Sequence, residues 1–360
     1  MLALITHAFG SHGGIARFNQ DLLAAIAGDR VVSRIGVVAR SGNSPAESEL
    51  PENVEYRVAR RGRAGFAVAA LVAALRMRPD VVLIGHVNFC FVGVLIARLT
   101  ASRALLMVHG GEAWRPRRSR WVNHSIRHVD CISSVSELTL RRLCEWAPIA
   151  ANRTFVLPCC VDLSRFTPGP RDAALVHALG LSGKRIVMTM GRLAIEEQAK
   201  GFDEVIEQLP RLLRIVPDLV YLICGTGSDE ARLRAKAAAI GVAGQVVFAG
   251  FVPEDEKVKY YRLADAYVMP SRGEGFGIVI LEALACGIPV MGSNVDGTFE
   301  ALQGGALGAC VDPRDPQAVF QGILDALRKS RSDVQPSALG TFSVDSFRFR
   351  AGQMLERLVR

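Results

Sequence analysis

From its first residues the chain alternates short, almost wholly apolar runs with longer segments of helical period, and this alternation restricts the possible folds more than any other feature. The strand-like runs are 2–8, 34–38, 81–84, 104–108, 131–135 and 154–157, then 185–190, 220–224, 245–249, 266–269, 290–292 and 307–311. Runs that do not alternate with polar residues are buried on both faces, which requires a parallel sheet with helices on either side. Between the two sets lies CCVDLSRFTPGPRDA, rich in proline and turn formers, which reads as a linker. At 360 residues the chain exceeds one typical core. The expected fold class is therefore α/β, with two Rossmann-like doubly wound domains at 1–165 and 166–342. Such domains would place a ligand in the cleft between them, at the C-terminal ends of their strands. Beyond 343, Phe347, Met354, Leu355 and Leu358 fall at roughly helical spacing and predict a final helix.

The stretch Pro270 to Pro289, PSRGEGFGIVILEALACGIP, carries the densest chemistry. A strand ends at Met269, a glycine turn follows, and from Gly277 the pattern becomes helical, with Ile278, Leu281 and Ala285 on one face. Gly287 and Pro289 stop it. Amides at Phe276, Gly277 and Ile278 would lack intrahelical acceptors and would attract phosphate. Glu274 lies just upstream, where it would repel that phosphate unless it bonds something neutral such as sugar hydroxyls. Glu282 falls about 7 to 8 Å along the helix at a rise of 1.5 Å per residue. A phosphorylated sugar fits both carboxylates.

Other strand ends carry further candidates. The first runs into THAFGSHGGIARF, where Gly10, Gly13 and Gly14 admit a close ligand or serve only to turn the chain. Strand 104–108 delivers His109, followed by Gly110, Gly111 and Glu112; a histidine there can bond a substrate hydroxyl or shift a proton. In the second half MTMGRLAIEEQAKGFDEV sets Arg192 after a strand-ending glycine and Lys200 at the opening of the next helix. A departing nucleoside diphosphate accumulates negative charge that a metal or fixed cations must meet. With no D-x-D pair to hold a metal, the two cations can supply that charge. Cys224-Gly-Thr-Gly ends another strand in a turn that borders a base or merely turns. Phe251, Val252 and Pro253 occupy the equivalent loop one strand later.

These residues resemble glycosyltransferase family 4, the retaining nucleotide-sugar transferases of GT-B fold. The resemblance runs through GGIARF, HGGEAW, SVSELT, VDLSRFTP, GRL with KGFDEVIE, ICGTG and, most specifically, EGFGIVILEALACGIPV. It implies catalytic roles for His109 and Glu274, both near the transferred sugar. Donor binding would fall to Gly14, Arg192, Lys200, Glu282 and the amides of Phe276, Gly277 and Ile278. Arg192 and Lys200 would take the diphosphate, and Glu282 the ribose. Residues 343–360 would cross back to the N-terminal, acceptor-side domain. No metal or cofactor is expected, and the resemblance leans to GDP-mannose over a UDP-sugar. The implied product is a polysaccharide or glycolipid. Cys159 and Cys160 replace the usual Asn-Gly before Val-Asp, and Glu196, Glu197 and Gln198 lengthen the loop between Arg192 and Lys200. A non-catalytic nucleotide-binding subunit of the same fold is the alternative. A nicotinamide oxidoreductase is disfavoured by the absence of G-x-G-x-x-G.

Charge bears on the partner. Residues 1–165 hold 21 arginines, no lysine and 12 acids, whereas the remainder is nearly balanced. Two clusters stand out: Arg60, Arg61 and Arg63, then Arg115, Arg117, Arg118 and Arg120 flanked by Trp114 and Trp121. They fit an anionic membrane surface or a solvated basic face; no nucleic-acid motif accompanies them. The longest apolar run, 87–97, is too short to span a bilayer and no signal peptide is recognisable. Eight cysteines without a C-x-x-C pair suggest a reducing compartment. The expectation is a cytoplasmic protein, peripheral at the inner membrane face, acting on a glycan or lipid-linked acceptor.

Overall fold

The structure, a computed structural model, describes residues 1–46, 50–59, 62–331 and 335–359. Arg60 and Arg61 lie outside the described residues. The chain divides into two compact units, Met1–Cys160 with Val344–Arg360, and Val161–Ser343.

The first unit contains, in order, β1 (Leu2–Ile5), α1 (Gly14–Ala27), β2 (Ile35–Ala39), β3 (Val54–Val58), α2 (Gly62–Met77), β4 (Val81–Ile84), α3 (Cys90–Leu99), β5 (Arg103–Val108), α4 (Arg120–Ser125), β6 (Cys131–Ser134), α5 (Glu137–Trp146) and β7 (Thr154–Val156). Its seven strands are ordered β3-β2-β1-β4-β5-β6-β7 and pair in parallel throughout. β1, β2, β4 and β6 are buried along their whole length, as helices on both faces require. The sequence reading missed β3. Its residues, VEYRV, alternate between inward and outward positions at the sheet edge, so no apolar run announces it.

The second unit holds α6 (Ala173–Ala178), β8 (Arg185–Met190), α7 (Phe202–Leu212), β9 (Leu219–Cys224), α8 (Glu230–Ala239), β10 (Val246–Gly250), α9 (Lys257–Tyr261), β11 (Ala266–Val268), α10 (Ile278–Ala285), β12 (Val290–Ser293), α11 (Thr298–Ala301), β13 (Ala309–Val311) and α12 (Pro316–Arg328). Its six strands run β10-β9-β8-β11-β12-β13, again all parallel. The final helix, α13 (Val344–Val359), belongs to the first unit. It buries Phe347, Met354, Leu355 and Leu358, and Phe347 meets Phe18 of α1 edge to face at 5.7 Å.

In each sheet the strand order reverses once, between β1 and β4 and between β8 and β11. Crevices outside the strand C-termini open at such switch points, because adjacent connections there leave in opposite directions. One sequence expectation is corrected at α10. Rather than one apolar face, Ile280 through Ala285 are all buried, Glu282 included. A helix enclosed on every side keeps a carboxylate only where partners hold it.

Candidate functional site

In the second unit the loops after β8 and β11, which flank the switch point, are fastened to one another. Gly201, at φ +90°, stands where a β-carbon would come within 2.7 Å of the Pro270 carbonyl oxygen, so only glycine fits. The Arg272 amide donates to the Ala199 carbonyl at 2.7 Å, and the Arg272 guanidinium pairs with Glu204 at 2.7 Å. This fastening brings Lys200 to Glu274, with Nζ donating to Oε1 at 2.6 Å. Arg192 reaches the same group indirectly, since it pairs with Glu197, whose other oxygen lies 3.6 Å from Lys200 Nζ. Three of the candidate residues thus converge, with Glu197 as an unforeseen fourth.

Asp296 was also missed. It is buried, and its carboxylate accepts from Ser271 Oγ at 2.6 Å, the Glu274 amide at 3.0 Å, Thr298 Oγ1 at 2.7 Å and the Thr298 amide at 3.0 Å. Burial raises its pKa, and those donors act against the rise. The neighbouring Gly297 amide donates to the Glu274 carbonyl at 2.9 Å, and a β-carbon on Gly297 would collide with Gly275. The Glu274 loop is therefore clamped from the β12–α11 connection. An isolated Val-Asp-Gly gives no sign of this, because the contact spans 22 residues.

α10 begins directly after the loop. Its N-cap, Gly277, has φ +96° and no side chain to cap the first-turn amides, leaving that turn's positive end without a side-chain acceptor. Phe276 is buried, with its ring 5.6 Å from Phe342. Farther along, Glu282 is only 3% exposed; Tyr261 donates to one carboxylate oxygen at 2.6 Å and Lys257 to the other at 3.3 Å. Burial alone would lower the Lys257 pKa, but Glu282 and Glu254 outweigh it and the pKa is raised. Each carboxylate oxygen keeps a second lone pair for a ligand hydroxyl. Glu282 and Glu274 thus sit in separate networks. The buried Tyr267 senses both: burial foremost, then the two carboxylate charges, holds its phenol neutral.

The Cys224-Gly-Thr-Gly turn has a packing explanation. β-Carbons on Gly225 and Gly227 would collide with the carbonyl oxygens of Gly191 and Leu193, so these glycines let the turn lie against the loop that carries Arg192.

In the first unit α1 starts at Gly14, capped by Gly13 at φ +105°, and a β-carbon on Gly14 would meet open space. From α1, Asn19 and Gln20 donate to the carbonyls of His7 and Ala8 at 2.8 and 3.0 Å and pin the loop after β1. His109 follows β5. Its amide donates to Glu112 at 2.5 Å, its ring lies 5.1 Å from Phe18, and Nε2 is 3.1 Å from the Gly85 carbonyl. A carbonyl only accepts, so Nε2 carries the proton. Nδ1 is then a bare acceptor, buried and unpartnered among the described residues. Burial lowers the His109 pKa, against the opposing pull of Glu112 and the Gly85 carbonyl, so the neutral ring prevails at neutral pH. Neighbouring His86 is also depressed, to about 4, chiefly by burial. The two tryptophans of the basic cluster part company. Trp114 donates to Thr139 at 3.1 Å under the Arg142 guanidinium, whereas Trp121 is 71% exposed.

Two parallel doubly wound units, with basic and acidic side chains meeting at a switch point, define a GT-B glycosyltransferase architecture. Two family models match, "Glycosyltransferase Family 4" over residues 12–165 and "Glycosyl transferases group 1" over 176–338. The GDP-mannose-dependent alpha-(1-6)-phosphatidylinositol monomannoside mannosyltransferase of Mycolicibacterium smegmatis is 32% identical over 271 residues, covering 72% of this chain and 70% of that enzyme. The D-inositol 3-phosphate glycosyltransferase of Geodermatophilus obscurus is 38% identical over 175 residues, 46% of this chain and 38% of that one. Among solved structures, Anabaena HepE in complex with UDP and glucose superposes with a TM-score of 0.82 at 19% identity, covering 99% of this chain and 100% of that one. The chain belongs to glycosyltransferase family 4 and is a glycosyltransferase.

Proposed function

We propose that the chain is a retaining, metal-independent hexosyltransferase that moves mannose from GDP-mannose to a hydroxyl of a lipid-linked glycan or glycolipid. The first unit serves as the acceptor side and the second as the donor side. The observation that carries this reading is the Lys200–Glu274 contact of 2.6 Å at the switch point of the second sheet. A cation suited to diphosphate and a carboxylate suited to sugar hydroxyls are held side by side, as a sugar diphosphate requires.

In this reading Lys200 and Arg192 take the diphosphate, and the first-turn amides from Phe276 to Ile278 add donors to it. Glu274 bonds the sugar hydroxyls. Glu282, fixed by Tyr261 and Lys257, accepts the ribose hydroxyls. Gly14 admits the phosphates close to the backbone, and the bare Nδ1 of His109 accepts a hydroxyl of the transferred sugar. As the anomeric bond breaks, charge grows on the leaving phosphate, where the fixed cations stabilise it. The same phosphate oxygen receives the acceptor proton on the face it leaves, which retains the configuration.

GDP-mannose is favoured by the name of the mycobacterial relative, which specifies that donor and a phosphatidylinositol monomannoside acceptor. The UDP complex of the Anabaena structure keeps a UDP-sugar as the competing donor. The test is incubation with GDP-mannose or UDP-glucose and phosphatidylinositol monomannoside in detergent with chelator, followed by NMR of the product. An α-mannosidic product from GDP-mannose alone supports the reading. A β-product, or transfer only from UDP-glucose, contradicts it.

A further inference from the structure

α2 and α3 are apolar nearly all round, although each belongs to the outer helical layer of the first unit. α2 turns Phe66, Ala70 and Ala74 inward, yet it also leaves Val68, Val72 and Leu75 exposed at successive turns of its opposite face. α3 repeats the arrangement, burying Val94, Ile96 and Ala97 and exposing Phe91, Leu95 and Leu99 at every fourth residue. α3 packs against both α2 and α4. At the α4 edge the exposed ring of Trp121 lies 6.0 Å from that of Phe91. Large apolar side chains from three adjacent helices thus occupy one solvent-facing side. Helices with this composition normally have apolar neighbours on every side.

The rim identifies what covers this side. Between Tyr56 and Val129 the sequence holds 13 arginines and only two acids, Asp80 and Glu112. Arg63 and Arg76 on α2, Arg98 on α3, and Arg118 and Arg120 at the start of α4 are exposed, and none forms an ion pair among the described residues. A second copy docked about a two-fold axis would bring one arginine-rich rim against another. An anionic bilayer instead offers hydrocarbon to the apolar row and phosphates to the guanidinium rim, with tryptophan at the boundary between them.

We infer that the α2–α3–α4 face is a docking surface for an anionic phospholipid membrane. This deepens the proposed function by bringing the enzyme to a lipid-embedded acceptor. The loop after β5 supplies a direct connection: it carries His109, and Arg117 within it bonds the Glu112 carbonyl at 3.3 Å and Asn88 at 3.1 Å just before α4 begins. The docking face and the His109 loop are consecutive in the chain.

The test is flotation of the full chain with phosphatidylcholine vesicles, with and without phosphatidylglycerol, at low and high salt. Phe91→Ser/Leu95→Ser, Trp121→Ser and Arg118→Glu/Arg120→Glu variants are compared alongside. All the altered side chains are exposed, so circular dichroism and nucleotide titration should match the parent. Expected are binding to phosphatidylglycerol vesicles, weakening at high salt, and at least about tenfold loss in either double variant. Failure of the parent to bind at low salt, or unaltered binding by the variants, would overturn the inference. So would a dimer that the same substitutions dissociate without any vesicle binding. Because nucleotide titration is read separately, a failed donor site and a failed docking face give different results.

Discussion

Lys200 Nζ and Glu274 Oε1 stand 2.6 Å apart, joining the end of the loop after β8 to the loop after β11. Each compensates the charge of the other, and in the proposed donor site a sugar diphosphate would share both. Lys200→Ala should weaken nucleoside diphosphate binding about 10- to 100-fold, the effect of one lost charge-assisted hydrogen bond. Glu274→Gln should leave nucleotide affinity nearly intact and lower kcat instead, because its partner is the sugar. Calorimetry and steady-state kinetics on the two variants separate these effects; equal loss of nucleotide affinity in both would contradict the assignment.

Glu197 contacts both Arg192 and Lys200, so in the proposed donor site it would compete with the diphosphate. Arg192 is 69% exposed, so water screens much of the pairing. Glu197→Gln should tighten GDP binding by only about two- to fivefold. A weakened affinity would mean that Glu197 positions the cations rather than occupying them.

Asp296 has a different task, since it touches the backbone of Glu274 and not its carboxylate. Asp296→Ala removes the acceptor of the buried Ser271 hydroxyl and of the Glu274 and Thr298 amides. It should cost about 1 to 3 kcal/mol of stability, measured by urea unfolding of the second unit's transition. Donor turnover should fall with it, because the Glu274 loop loses its clamp.

Gly225 tests the packing explanation of its turn. At φ +143° and against the Gly191 carbonyl, Gly225→Ala meets both strain and collision. The expected loss is about 2 kcal/mol or more, seen as a lowered Tm. Unchanged Tm with weakened nucleotide binding would return the turn to a ligand-contacting role.

The pH response of His109 follows from its lowered pKa. The unfolded chain binds a proton near the ordinary 6.5, before the folded protein does. The stability His109 contributes is therefore present above about 6.5 and is lost as pH falls from there toward the folded value. His109→Gln should flatten this part of the pH–stability curve. The kcat/KM profile of the parent should show no acid limb at 6.5 from this ring; a limb there, absent in His109→Gln, would contradict the neutral assignment.

Much of the fold was legible because strands covered on both faces are written as continuous apolar runs. β3 was not, since an edge strand needs only one buried side. The turn before α10 was equally legible, because its glycines mark where the strand ends and the helix begins. Asp296 and Glu197 were illegible, for their importance rests on contacts with residues brought near only by folding. Glu282 could be singled out, but not its partners Lys257 and Tyr261, which come from a separate helix. The exposed apolar side of α2, α3 and α4 was half legible: arginine excess marked the region, while the rows on α2 and α3 show their exposure only once the helices are packed.

The proposed donor site of the second unit rests on Glu282, Glu274 and Lys200. Its most direct test is calorimetric titration of the protein with GDP and with UDP in chelator, beside Lys200→Ala and Glu282→Gln. The glutamine variant keeps an acceptor for Tyr261 and leaves Lys257 paired with Glu254, so the fold is spared. Selective binding of GDP, weakened at least about tenfold in both variants, is the predicted result. Binding of neither nucleotide, or binding indifferent to both substitutions, would contradict it.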